Sequence, residues 1–129
     1  MKIYICYANE DRMNAIRLNK ELRQHMLQTT FIDRGDSDLL TDPMEDIMKG
    51  IKESECFAVI HSAYTNTSML SQIEITYAKN LHKQIHVIKT GHTPISDSIK
   101  FELGNANVIN DSNMAKAAEK LAKTILGGN

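Results

Sequence analysis

Residues 3–8 read Ile3-Tyr4-Ile5-Cys6-Tyr7-Ala8, an uninterrupted run of apolar and strand-forming residues near the start of the chain. A strand with one face in water alternates polar and apolar residues, whereas a continuous apolar run is typical of a strand that is buried on both faces. The polar residues Asn9-Glu10-Asp11 end the run, and apolar residues at helical spacing follow them. The run therefore predicts a central strand of a parallel sheet with helices on both sides.

Short apolar runs and amphipathic segments continue to alternate along the chain. Strands are predicted at residues 3–8, 29–32, 55–61, 84–88 and 107–109. The first predicted helix begins at the Asn9/Asp11 capping signal and carries apolar residues from Ala15 to Met26, and further helices are predicted over residues 44–51, 68–81, 95–103 and 114–126. Because right-handed crossovers join parallel strands through helices, this order predicts an α/β, flavodoxin-like three-layer sandwich with a five-stranded parallel sheet and helices on both faces. No linker or repeat interrupts the alternation, so residues 1–129 are expected to form a single domain.

Composition and charge exclude several classes of function. The formal net charge is -1 and the basic residues are scattered, which argues against nucleic-acid and membrane-surface partners. No apolar run approaches the ~18 residues needed to cross a bilayer, and the N-terminus lacks a signal-peptide pattern, so a cytoplasmic protein is expected. Cys6 and Cys56 lie in apolar runs and are expected to be buried hydrophobic residues. The dispersed histidines offer no ligand cluster, so neither a metal nor a bound cofactor is expected.

Glu74 is the residue of the third predicted helix that packing alone does not explain. It falls within a stripe of apolar residues at helical spacing, namely Leu70, Ile73, Tyr77, Ala78 and Leu81. Half-burying an ionised carboxylate costs several kcal/mol unless a partner compensates it, so two interpretations stay open. Ser71 and Glu74 have the spacing of a capping box, in which Ser71 caps the helix and Glu74 reaches back to it. Alternatively, Glu74 is kept for chemistry at a cleft.

The predicted fold places a ligand site beyond the carboxyl ends of the strands, near the point where the strand order reverses. Tyr7, Asp33 and His61 stand at the ends of the first three predicted strands, and the helix of Glu74 begins a few residues after the third. Residues 33–43 form a long polar loop for so small a domain, and such loops often carry function. The sequence contains neither the glycine-rich dinucleotide fingerprint nor a P-loop, which argues against the common nucleotide-binding motifs.

Three separate blocks of the sequence share their order and spacing with one known family. They read Ile5-Cys6-Tyr7 with Asp11; Phe31-Ile32-Asp33, a polar loop and Met44-x-x-Ile47-x-x-x-Ile51-x-x-Ser54; and Ser62-x-Tyr64 with Ser68-x-Leu70-Ser71-x-x-Glu74-Ile75. Together these blocks, which span roughly residues 2–90, resemble the TIR (Toll/interleukin-1 receptor) domain.

Departures from the TIR pattern indicate which type of TIR protein this sequence resembles. Cys6 stands where the family usually has Ser, Leu70-Ser71 stands where it has Trp-Cys, and the sequence contains no Trp. These differences disfavour a eukaryotic receptor adaptor and fit a bacterial stand-alone TIR protein resembling the Thoeris-like antiviral NADases. The resemblance then implies an enzyme that cleaves NAD, its substrate, into ADP-ribose or a cyclic or conjugated ADP-ribose signal.

The resemblance also implies roles for individual residues. Glu74 matches the essential glutamate of catalytic TIR domains. Tyr7 is a candidate for stacking on a substrate ring, Asp33 for binding a ribose hydroxyl, and Ser71 for a place beside the substrate in addition to its capping role. Each of the last three has a structural alternative, which is packing for Tyr7, turn formation for Asp33 and the helix cap for Ser71.

Partners and rival functions follow from the same motifs. The TIR resemblance implies a homo-oligomer through TIR–TIR contacts that involve the loop at residues 33–43, and a separate effector that senses the product. A non-catalytic TIR assembly module is the first alternative. A nucleoside deoxyribosyltransferase or nucleotide N-glycosidase is the second, because those enzymes have a related fold and a stretch similar to Glu74-Ile75-Thr76-Tyr77-Ala78.

Overall fold

The computed structural model describes residues 1–33 and 44–127, and within these ranges five strands alternate with five α-helices. The strands are β1 (Lys2–Cys6), β2 (Gln28–Thr30), β3 (Cys56–His61), β4 (Gln84–Lys89) and β5 (Asn107–Asn110). The helices are α1 (Arg12–Gln24), α2 (Met44–Glu53), α3 (Met69–Asn80), α4 (Asp97–Leu103) and α5 (Met114–Gly127). Single turns of 3-10 helix lie at Asn9–Asp11 and Thr65–Thr67. The predicted α/β, flavodoxin-like fold is confirmed.

All five strands of the sheet are parallel and lie in the order β2-β1-β3-β4-β5. The chain passes from β1 to β2 on one side and then continues to β3 on the other, so the strand order reverses between β1 and β3. Across this centre, Tyr4 of β1 pairs with Thr30 of β2 and with Phe57 of β3. The carboxyl ends of β1 and β3 therefore stand side by side, which is where ligands bind in folds of this kind.

Two apolar cores cover the two faces of the sheet. On one face, Ile3 and Ile5 of β1 and Tyr7, which follows the strand, pack with α1 and α5. On the other face, Tyr4 and Cys6 pack with α2, α3 and α4. Because side chains alternate along a strand, β1 contributes to both cores, and every residue of β3 is buried as well. The prediction of a central strand that is buried on both faces is confirmed.

The two cysteines are buried, form no disulfide and lie on opposite faces of the sheet. Cys6 belongs to the core beneath α2, α3 and α4, whereas Cys56 belongs to the core beneath α1 and α5. Burial raises the pKa of the Cys56 thiol, which keeps it protonated and unreactive. Their prediction as buried hydrophobic residues is confirmed.

Strands β1 and β2 differ in extent from the sequence-based prediction. β1 ends at Cys6, before the apolar run does, and β2 spans Gln28–Thr30, so it begins and ends earlier than predicted. β2 is an edge strand. At Phe31 and Ile32, which follow it, contacts with the Tyr7 side chain hold the chain in place. The Tyr7 hydroxyl donates to the Ile32 carbonyl oxygen at 2.8 Å, and the rings of Tyr7 and Phe31 lie 5.5 Å apart.

Helix α2 approaches the sheet closely through Gly50. A Cβ atom at this position would lie 2.9 Å from Thr30 Cγ2 and 3.2 Å from Tyr4 Cε2. The Tyr4 ring is itself stacked on Phe57, with centroids 5.7 Å apart and an interplanar angle of 10°. The missing side chain of Gly50 therefore leaves the room that the Tyr4 ring occupies beneath α2.

Replacing Gly50 by alanine is expected to lower the free energy of unfolding by about 1 kcal/mol. Overpacking a core costs about 1–3 kcal/mol, which outweighs the gain of about 1 kcal/mol that alanine brings to a helix interior. Gly127→Ala is the matched control, because a Cβ there would meet no atom within 4 Å, and its stability is expected to be unchanged or slightly higher. Urea unfolding measures both variants. A Gly50→Ala variant as stable as the control would contradict this account of the α2 packing.

Candidate active site

Glu74 lies on the face of α3 that packs against the sheet, and it is only 1% exposed. The Tyr4 hydroxyl of β1 donates a hydrogen bond of 2.9 Å to Glu74 Oε1, and Tyr4 is itself 1% exposed. Burying a carboxylate is costly unless polar partners replace water, and a hydroxyl that donates to a carboxylate forms one of the stronger hydrogen bonds in proteins. Glu74 is thus a buried carboxylate that is hydrogen-bonded to the central strand of the fold.

The buried face of α3 differs from the predicted stripe. Its buried residues are Ser71, Glu74, Ile75 and Ala78. Ile73, by contrast, is 46% exposed, so its prediction as a core residue is wrong. Both the predicted stripe and the set of residues that is buried have helical spacing, and spacing alone does not decide which of the two faces the sheet. The small side chains of Ser71 and Ala78 let α3 lie close to the sheet, where Glu74 meets Tyr4.

Ser68, rather than Ser71, caps the N-terminus of α3. The Ser68 Oγ atom accepts a hydrogen bond from the Ser71 backbone N–H at 3.1 Å, and the Ser68 hydroxyl donates to Ser71 Oγ at 2.9 Å. The prediction that Ser71 and Glu74 form a capping box is wrong, because the cap lies one turn earlier and Glu74 bonds Tyr4 instead. Ser71 is fully buried, and its contact with a substrate stays a prediction.

Tyr7 and Asp33 lie at the carboxyl edge of the sheet, on the side where β1 meets β2. Tyr7 is 2% exposed and is held by its contacts with Phe31 and Ile32. Asp33 forms a two-point ion pair with Arg12, in which Oδ1 lies 2.6 Å from Nε and Oδ2 lies 2.9 Å from Nη2. Both residues therefore have structural contacts in this conformation, and their binding of a substrate stays a prediction.

A second polar cluster, which the sequence pattern did not single out, joins the carboxyl ends of β1 and β3. The Ser62 hydroxyl donates to Asp11 Oδ2 at 2.5 Å, and the Tyr64 backbone N–H donates to Ser62 Oγ at 3.1 Å. Asp11 is 8% exposed, and burial raises the pKa of its carboxyl group, although the Ser62 hydrogen bond opposes this shift. Asp11 and Ser62 occur in two different blocks of the family resemblance. That resemblance was the sequence signal that could have pointed to this cluster.

His61, at the end of β3, takes part in a hydrogen-bonded arrangement that ties together two loops of the same edge. Its side chain is 1% exposed, and Nε2 shares a hydrogen bond of 2.9 Å with Asn66 Oδ1. Asn66 in turn donates to the Pro94 carbonyl oxygen at 2.9 Å and accepts from the Ser96 backbone N–H at 3.0 Å. These bonds give His61 a structural role at the start of α4.

In residues 1–33 and 44–127, no group of three or more His, Cys, Asp and Glu side chains is arranged to hold a metal ion. Across the same ranges, every helix is too short or too polar to cross a membrane. Apart from Asp33 itself, the loop predicted at residues 33–43, with its expected part in assembly, lies outside the described residues.

A family model for the TIR domain matches residues 3–123. The chain belongs to the TIR domain family. The match extends beyond the three resembling blocks and reaches into α5, so the TIR prediction is confirmed for nearly the whole chain. The bacterial, Thoeris-like subtype stays a prediction. A comparison with curated proteins gives no significant match.

Solved structures share this fold at low sequence identity. The TIR domain of the Toll-related receptor TRR-2 from Hydra magnipapillata has a TM-score of 0.70 at 20% identity, covering 98% of this chain and 94% of that one. The TIR domains of the activated Roq1 resistosome give 0.74 at 13% identity, with 96% and 98% covered. A CMP N-glycosidase from Clostridium botulinum gives 0.65 at 17% identity, with 94% and 98% covered. At such identities the likeness shows the fold alone.

Asp11 and Asp111 are expected to make stability depend on pH in opposite directions. Burial raises the pKa of Asp11, so the folded state binds its proton more tightly and loses stability as the pH rises from the usual pKa through the raised one. The Asn113 backbone N–H and the Lys120 ammonium lower the pKa of Asp111. Asp111 therefore stabilises the fold above its usual pKa, and this stabilisation is lost as the pH falls through the lowered value.

Urea unfolding between about pH 3 and pH 7 of Asp11→Asn and Asp111→Asn measures these effects. Relative to the wild type, Asp11→Asn is expected to gain stability with rising pH, because it lacks the group that is destabilised by ionising. Asp111→Asn is expected to lose stability over the same change. Parallel shifts of the two variants would show that this assignment of the two carboxyl groups is incorrect.

Proposed function

We propose that this chain is a TIR enzyme that consumes NAD, with Glu74 as its catalytic carboxylate. The observation that carries the proposal is the burial of Glu74, which is 1% exposed and bonded by Tyr4 at 2.9 Å. A carboxylate at such a position costs free energy that an apolar residue would not, and functional sites are where proteins tolerate this cost. Glu74 also occupies the position that the TIR pattern gives to the essential glutamate.

Cleavage of NAD requires little from the protein beyond one oriented carboxylate. Nicotinamide is joined to ribose through a positively charged ring nitrogen, so it leaves as a neutral molecule when the electron pair of the C–N bond passes to that nitrogen. The positive charge moves to the ribose in an oxocarbenium-like transition state, which the Glu74 carboxylate would stabilise electrostatically. Attack by water, with loss of a proton, gives ADP-ribose. Attack by a group of the same or a second molecule gives a cyclic or conjugated product.

The substrate must reach a carboxylate that this conformation covers. Ser71 and Glu74 are each at most 1% exposed, so contact with a ribose requires a rearrangement that exposes the Glu74 carboxylate. In this proposal, formation of a homo-oligomer through TIR–TIR contacts is the trigger. The product then acts on a separate effector, in keeping with a role in bacterial antiviral defence.

The second candidate function is a nucleoside deoxyribosyltransferase or nucleotide N-glycosidase, which also cleaves a bond between a sugar and a ring nitrogen. The stretch at residues 74–78 and the fold shared with the CMP N-glycosidase, at a TM-score of 0.65, favour it. A non-catalytic assembly module is the third, and the fold shared with the TIR domains of the Roq1 resistosome supports it. The three functions predict different outcomes of the same incubations.

Liquid chromatography and mass spectrometry after incubation with NAD, at several protein concentrations, tests the proposal. The wild type is expected to release nicotinamide, and Glu74→Gln is expected to be at least about 100-fold slower, because the group that stabilises the developing charge has lost its own charge. Glu119→Gln is the matched control, since Glu119 lies on α5 across the sheet and its side chain is 60% exposed. The mass of the second product distinguishes hydrolysis from cyclisation or conjugation.

Four outcomes would contradict the proposal. Intact NAD at every protein concentration would exclude the activity, and a Glu74→Gln variant as active as Glu119→Gln would exclude the assigned role. Release of cytosine from CMP without cleavage of NAD would favour the N-glycosidase. Self-association without either reaction would favour the assembly module.

A further inference from the structure

Tyr4 is a buried hydroxyl donor directed at the Glu74 carboxylate from a distant part of the chain. The two residues are 70 positions apart, and their hydrogen bond of 2.9 Å is buried. The sequence pattern accounts for Tyr4 as one more apolar residue of the central strand, and a phenylalanine would fill the same space. The hydroxyl is the part of this side chain that strand packing does not require.

The Tyr4 ring is fixed by its neighbours on three sides. Phe57 stacks on it at a centroid distance of 5.7 Å, and strand pairing places Thr30 and Phe57 on either side of it in the sheet. Above it, Gly50 of α2 leaves no room for a Cβ, which would lie 3.2 Å from Tyr4 Cε2. The hydroxyl oxygen therefore has one position, set by the sheet and α2, whereas Glu74 reaches it through a flexible side chain from α3.

We propose that Tyr4 is a positioning residue for Glu74: its fixed hydroxyl selects one rotamer of the glutamate and holds its carboxylate in one orientation. This inference rests on the proposed function, because the orientation has a catalytic use only where Glu74 meets a ribose. Tyr4 itself contacts no reacting atom. It acts through Glu74 and lowers the reorganisation that the carboxylate undergoes as positive charge develops on the sugar.

Removal of this hydroxyl has consequences that a merely structural role does not produce. A donor that bonds a carboxylate favours its charged form, so without it the carboxyl group holds its proton to higher pH. The carboxylate also loses a partner that orients it, which affects the chemical step more than substrate binding. A purely structural Tyr4 would change stability and leave the titration of Glu74 where it was.

The experiment compares wild type, Tyr4→Phe and Ser54→Ala. Ser54 is the matched control because its hydroxyl is also buried and hydrogen-bonded, but to the Gly50 carbonyl oxygen at 2.8 Å. We expect kcat for nicotinamide release from NAD to fall about ten- to hundredfold in Tyr4→Phe, with KM changed less, and the acidic limb of the pH–kcat profile to move up by about one pH unit. Ser54→Ala is expected to lower stability and to leave the acidic limb in place.

A second measurement separates failure of this inference from failure of the proposed function. In protein labelled with carbon-13 at the glutamate carboxyl groups, the Glu74 signal is assigned by its loss in Glu74→Gln and followed with pH. A higher titration midpoint in Tyr4→Phe than in wild type and Ser54→Ala supports the positioning role even if NAD stays intact. Equal midpoints in all three proteins, or an equal shift in Ser54→Ala, would overturn it whatever the activity.

Discussion

The hydrogen bond from Tyr4 to Glu74 joins β1 to α3 within the core that covers one face of the sheet. A carboxylate that leaves water needs a strong donor, and the donor must stay in place for the pairing to compensate the lost hydration. Gly50 gives the Tyr4 ring its space beneath α2, and Phe57 stacks on it from the next strand. Ser71, a small residue, is buried on the same face of α3 as Glu74.

The two faces of the sheet differ in what they bury and in their proposed roles. The face covered by α1 and α5 is an apolar core that includes Tyr7, whereas the other face carries the buried carboxylate. Where the strand order reverses, the bond between Ser62 and Asp11 ties the ends of β1 and β3 together at 2.5 Å. The proposed chemistry thus depends on the centre of the sheet, made of β1 and β3, and on a rearrangement that admits a sugar to Glu74 while its bond to Tyr4 is kept.

Patterns within short stretches of the sequence predicted the secondary structure and the sheet, because both depend mainly on residues that are near one another in the chain. The continuous apolar run at residues 3–8 predicted a strand buried on both faces, and the alternation of runs predicted the parallel sheet. The prediction of the buried face of α3 was wrong at Ile73. Two sets of residues in α3 have helical spacing, and only the contact with the sheet determines which set is buried. The Tyr4–Glu74 pair had no signature, because residues 70 positions apart meet only in the folded chain.

The proposed mechanism requires that the buried Glu74 carboxylate meets the sugar. This contact is tested by a titration of the carboxyl-labelled protein with a non-cleavable NAD analogue, followed by NMR at a protein concentration that supports self-association. We expect a saturable change in the Glu74 carboxyl signal, together with changes in the backbone signals at the carboxyl end of β1. Saturable changes confined to the exposed outer face of α3 around Ile73, with the Glu74 signal unmoved, would contradict it.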